Sequence, residues 1–232
     1  MYLYDTHVHS SECSACALSS ARELVQAYHE AGYAGMILTN HFVHGNTNVP
    51  RELDWDSRMK RFYDVYLEAK EEGRRFDLDV LFGIEDGYGK GKEILIYGVD
   101  LDFLLAHPEL DTVSIETCAA LVHDAGGILV HAHPYRMRNY IVPNVKPRYD
   151  ICDGIEVYNA GDADELNELA FQDALRLQKI MTSGGDVHQA WGCAELGPAG
   201  IGFHRRIKDI SDFVNALKHG EGHIMFHGEM RT

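Results

Sequence analysis

Basic residues are scarce in this chain. Lysine and arginine number 21 against 36 acidic residues, a formal net charge of −15 with histidine neutral. Such a field repels a polyphosphate backbone and argues against a general binder of duplex nucleic acid. No run approaches the roughly 20 apolar residues of a membrane span. The opening Met-Tyr-Leu-Tyr-Asp has neither the basic start nor the apolar stretch of a secretory signal. Both absences make a cytoplasmic protein the expectation. Cysteine numbers five, an odd count with no framework spacing. Cys13 and Cys16 form a C-x-x-C, but no βαβ redox pattern precedes them and no second pair completes a zinc ribbon. Reduced, structural thiols are therefore expected. No repeat, low-complexity stretch or Pro/Gly/Ser linker divides the chain, so residues 1–232 read as a single domain. With 45% hydrophobic and 25% charged residues, the composition is that of a globular protein able to bury a core without staples.

Histidine is abundant: 14 of them beside 2 tryptophans. It is the commonest metal ligand and acid/base residue, which directs attention to clusters. Short apolar runs alternate with amphipathic segments. Strands are expected at 1–8, 35–39, 79–84, 93–99, 128–130, 154–158 and 180–183. Helices are expected at 19–31, 54–73, 114–125, 164–178 and 211–218. Tyr63, Tyr66 and Leu67, at helical spacing, read as core. The alternation predicts an α/β fold with a mainly parallel sheet, whose chemistry collects at the carboxyl ends of the strands.

Polar residues fall at those ends. The first strand delivers Asp5-Thr6-His7-Val8-His9. Residues two apart on a strand face the same side, so His7 and His9 present imidazoles to one point, as chelation of a divalent metal requires. Later strands end in Thr39-Asn40-His41, Gly83-Ile84-Glu85, His131-Ala132-His133-Pro134 and Gly184-Gly185-Asp186-Val187-His188. Imidazoles with carboxylates suit zinc, manganese or iron, and the absence of obvious thiolate ligands argues against a closed structural zinc. Two or three such ions can clamp a phosphate ester and activate a water.

These motifs, in order from Asp5 to His188, resemble the PHP family (polymerase and histidinol phosphatase). The resemblance implies a distorted (β/α)7, TIM-like barrel that binds two or three divalent metals and hydrolyses phosphoesters. It implies that His7, His9, Glu85 and Asp186 hold a first metal, Glu85 and His133 a second with Glu85 bridging, and His41 and His188 a third. Glu85, Asp186 and His188 are then the candidate catalytic groups, the last two as proton carriers. Asn40 stands where the family usually has an acid. Leu95 lies near a position where it often has a histidine, and His131 is the candidate substitute. After His9, where the family offers a further ligand, Glu12 is the candidate.

Arg136, Asn159 and Arg205, with Arg206 beside it, are candidates for binding substrate. The remaining histidines, His44 among them, read as structural. The expected activity is hydrolysis of a small phosphorylated substrate, a phosphomonoester or phosphodiester. The alternatives are an amidohydrolase-type metal hydrolase and a non-catalytic metal-binding or regulatory domain. The residues do not specify an oligomeric state.

Overall fold

The computed structural model describes residues 1–192 and 198–231. The strands are β1 (Tyr2–Val8), β2 (Gly35–Leu38), β3 (Asp79–Gly89), β4 (Lys92–Tyr97), β5 (Ile128–His131), β6 (Gly154–Asn159), β7 (Ile180–Gly184), β8 (Gly200–Phe203), β9 (His223–Phe226) and β10 (Glu229–Arg231). The helices are α1 (Ala21–Glu30), α2 (Trp55–Arg75), α3 (Leu101–Ala106), α4 (Ile115–Asp124), α5 (Asp164–Leu177) and α6 (Ile210–Lys218). No helix among the described residues is long and apolar enough to cross a membrane.

Helix starts follow their caps. Ser20 accepts the Glu23 N–H while Glu23 reaches back to the Ser20 N–H, a reciprocal pair that satisfies two orphan donors of α1. Asp54, Ser114 and Asp209 cap α2, α4 and α6 in the simpler way.

All ten strands form one mixed sheet in the order β10-β9-β8-β1-β2-β3-β4-β5-β6-β7. The sheet curls until β7 meets β1. The His9 N–H donates to Val187 O at 2.9 Å, the Val187 N–H to His7 O at 3.3 Å, and the Thr6 hydroxyl to Ser183 O at 2.9 Å. Strand periodicity divides the core. Tyr4, Ile37, Leu81, Leu95, Tyr97 and Val130 pack in one cluster with Phe213 and Leu217 of α6. Their neighbours Met36, Val80, Ile94 and Leu129 pack in the other, against α1, α2 and α4.

The expectation of a mainly parallel sheet is corrected. β4 runs antiparallel to both β3 and β5, and β8, β9 and β10 add further antiparallel pairs. The β3–β4 connection is a tight turn with positive φ at Gly89, Lys90 and Gly91 rather than a helix. An apolar run such as Ile94–Tyr97 reads alike in either direction, so periodicity could not reveal the reversal. Strands β8 to β10 and α3 went unforeseen because they are short. Leu67 is exposed, while Tyr63 and Tyr66 pack with Phe82.

Candidate metal centre

The strand ends converge. At the end of β1, His7 and His9 are both fully buried and turn to one another, their Nε2 atoms 3.0 Å apart. This requires β7 to pass close by. A Cβ on Gly184 would stand 2.5 Å from the His7 Cβ, so only glycine fits there. On the far side of β1, Asp5 accepts from Tyr28, Gly185 N–H and His7 N–H and so fixes that contact. Pairing of β2 with β3 continues past the strand as a bridge between His41 and Glu85, which sets those side chains together.

Glu85 sits at the centre. Its Oε1 is 3.0 Å from His133 Nε2 and 3.2 Å from His7 Nε2; its Oε2 is 2.9 Å from His41 Nδ1 and 3.3 Å from His9 Nε2. Asp186 Oδ1 lies 3.3 Å from His9 Nε2 and 3.5 Å from His7 Nε2. The His188 ring stacks on His9 with centroids 4.4 Å apart. Donors held ~2.1 Å from one ion at tetrahedral angles lie ~3.4 Å from each other, so this spacing fits shared coordination. Two imidazole nitrogens facing at 3.0 Å, and a buried His41 Nδ1 without a well-formed hydrogen bond, are likewise groups that a cation would satisfy.

Outer partners aim the ligands. Glu156 Oε1 meets His7 Nδ1 at 2.8 Å, while its Oε2 accepts from His133 N–H and the Asn159 amide. Ser14 Oγ stands 3.1 Å from His9 Nδ1 and donates to Asn40. His133 and Asp186 both have positive φ, 27° and 53°, a backbone cost of roughly 1–3 kcal/mol each for a residue other than glycine.

Burial penalises charge throughout the cluster, and the residues respond as pairs. For His7 burial opposes protonation, but Asp186, Glu156 and Glu85 outweigh it and raise the pKa well above its usual value. For Glu85 burial is overcome by His7 and His41, and for Asp186 by His7 and Arg136, so both carboxyls are held well below their usual range. Burial, reinforced by His41, lowers His9 to about 3. Burial and the nearby Glu85 push Glu93 up to about 7.

Glu93 was missed by sequence reasoning. It lies 3.5 Å from His133 Nε2 and 3.8 Å from His41 Nδ1, and with His41 and Glu85 it forms a possible ligand group. Strand period explains the miss. Glu93, Leu95 and Tyr97 share one face of β4; Leu95 is sealed in the core, and the carboxylate arrives one layer higher. Cys16 was also missed. Its Sγ is 3.1 Å from His188 Nε2, and although burial opposes it, hydrogen bonds from His188 and His41 lower the thiol to about 6.

Other expectations are corrected. Glu12 turns away from the cluster and accepts the Ala21 N–H at the start of α1. His131 faces Tyr88, whose hydroxyl is 2.7 Å from Nε2, and does not replace a ligand at Leu95. Arg205 is paired with Asp212 and Glu221, and Arg206 with Asp77 and Asp79, away from the cavity. Arg136 lines the cavity, but its guanidinium is committed to Asp186, Asp162 and Asn159 at 2.7, 2.8 and 2.9 Å. Asn159 is fully buried in that network, and both residues contact Asp186. Asp186, expected as a proton carrier, is gripped by Arg136 at 2.7 Å.

The cavity above the cluster measures about 550 Å³ and is lined further out by His44, Lys92, Arg138 and Tyr140. His44, expected to be structural only, pairs with Asp86 at 2.9 Å on this wall.

No family model matches the chain, and no curated protein matches it. Solved structures do. A two-domain protein from Bacteroides vulgatus, described as containing a predicted PHP-like metal-dependent phosphoesterase, is 14% identical with a TM-score of 0.72, over 99% of this chain and 66% of that one. An amidohydrolase from Chromobacterium violaceum, with sulfate bound and no metal, is 16% identical with a TM-score of 0.59, over 80% of this chain and 87% of that one. A lesion-specific endonuclease from Pyrococcus furiosus is 13% identical with a TM-score of 0.62, over 97% of this chain and 58% of that one. The chain therefore spans only part of the first and third proteins. At these identities the likeness is one of architecture: the chain shares the fold of these three proteins.

Proposed function

We propose that this protein is a metal-dependent phosphoesterase of the PHP family, a distorted (β/α)7 barrel in which residues 1–232 form one catalytic domain. The observation that carries this is Glu85, whose two oxygens face four imidazoles at 2.9–3.3 Å at the floor of an open cavity. His7, His9, Glu85 and Asp186 would hold one divalent ion. Glu85, His133 and Glu93 would hold a second, and His41 with His188 a third. Zinc, manganese and iron suit this nitrogen and oxygen donor set. Such ions, when bound, would supply a Lewis acid for phosphoryl oxygens and would lower the pKa of water toward neutrality.

The chain's own groups do the rest. Glu156 and Ser14 aim His7 and His9, and Arg136 keeps Asp186 ionised. Arg138, with half its side chain exposed, and Tyr140 stand at the cavity mouth, where they can meet the substrate's leaving group or phosphate. Hydrolysis adds a water oxygen to phosphorus and breaks the bond to the alcohol, which takes its proton from solvent in the open cavity. The cavity suits a small phosphomonoester or phosphodiester. The endonuclease neighbour makes oligonucleotides a proper part of any substrate panel despite the chain's acidity.

The test is hydrolysis of p-nitrophenyl phosphate and bis(p-nitrophenyl) phosphate. Chelated protein is expected to be inactive and to recover with manganese or zinc. Glu85→Gln should cost more than the roughly 10–100-fold that losing an outer partner of a ligand costs. Metal-replete protein that cleaves no phosphoester in a broad panel contradicts the proposal.

A further inference from the structure

The third group of donors is short of a ligand. His9, His41 and His188 offer ring nitrogens within 4.8 Å of one another, but His9 Nε2 already faces His7, Glu85 and Asp186. That leaves His41 and His188, and the acid nearest in sequence, Glu12, is turned to α1. What does reach them is sulfur. Cys16 Sγ is 3.1 Å from His188 Nε2 and within hydrogen-bonding reach of His41. Its loop is pinned on both sides: the Ala15 N–H donates to Asn46 O at 2.9 Å and the Leu18 N–H to His188 O at 2.8 Å. His41, itself buried, turns its Nδ1 to Glu85 at 2.9 Å, so Nε2 is the nitrogen this site would use.

We propose that Cys16, as a thiolate, joins His41 and His188 as a metal ligand, and that this site takes a thiophilic divalent ion such as zinc or cobalt in preference to manganese. The inference rests on the metal-centre reading above. One sulfur and two nitrogens leave a fourth position open, as a zinc site in use for chemistry requires. The thiol gives up its proton to water as the metal–sulfur bond forms. A soft ligand distinguishes this site from the all-nitrogen-and-oxygen sites beside it.

Cobalt(II) titration of metal-stripped protein reads the bond directly. The wild type is expected to develop a near-ultraviolet sulfur-to-cobalt charge-transfer band, and zinc or cobalt should block iodoacetamide alkylation of the exposed Cys16, followed by peptide mass spectrometry. Cys16→Ser should keep its thermal unfolding midpoint in the metal-free state, lose the band entirely, and bind its weakest ion at least about tenfold less tightly, the lower end of what even outer partners cost. Cobalt binding without the band, with Cys16 alkylated equally fast loaded or unloaded, overturns the inference and leaves the phosphoesterase proposal standing. No cobalt binding at all overturns both. A band in a protein that cleaves no phosphoester supports the thiolate and counts against the proposed activity.

Discussion

Arg136 illustrates how single residues here act through others. Buried and bonded to Asp186 and Asp162, it is a structural cation within a predominantly acidic chain. Removing one member of such a buried set leaves its partners uncompensated, at a cost of about 3–5 kcal/mol. Arg136→Gln is therefore expected to lose about that much stability in urea denaturation of the chelated protein. A loss below ~1 kcal/mol, the value of an exposed pair, would show that Asp186 does not depend on it. His131 gives a pH test. Burial lowers its pKa to about 3, while the unfolded chain titrates near the ordinary histidine value of 6.5. Between these values the unfolded state binds the extra proton. Stability therefore falls as pH drops through 6.5 toward 3, by up to roughly 1.4 kcal/mol per pH unit. His131→Gln should flatten that part of the metal-free stability profile, and an unchanged slope would contradict the assignment.

At the level of elements, the amino end of α1 gathers Ser20, Glu23 and Glu12, each accepting or donating at the first turn. Ser20→Ala is expected to cost ~1 kcal/mol, and Glu12→Gln roughly 0.3–1 kcal/mol through the helix dipole. Elemental analysis should find the metal content of both variants unchanged; loss of metal from Glu12→Gln would return that carboxylate to the centre. Glu12 also shows where sequence stops being informative. His7 and His9 were legible because two-residue periodicity is local, and Asp186 and His188 because they follow a strand and a double glycine. Glu12, Glu93 and Cys16 needed the path of the chain in space. A loop turned one acid onto a helix, the reversed β4 aimed another inward, and the bridge between Val8 and Val187 carried His188 to Cys16. Glu156 looked like any strand residue until the curl of the sheet placed it under His7.

At the scale of the whole molecule, the candidate ligands come from β1, β3, β4 and the segments after β1, β2, β5 and β7. Ions bound there would fasten the two ends of the curled sheet where β7 meets β1. Binding at 100 times the dissociation constant adds ~2.7 kcal/mol to stability, so the metal should hold the sheet closed as well as serve chemistry. The most direct measurement is anomalous diffraction at the absorption edge of zinc or manganese from crystals of the loaded protein. The account predicts two or more peaks around Glu85, within coordination distance of His7, His9, His133 and Asp186. A fully loaded crystal with no peak between those side chains would contradict it.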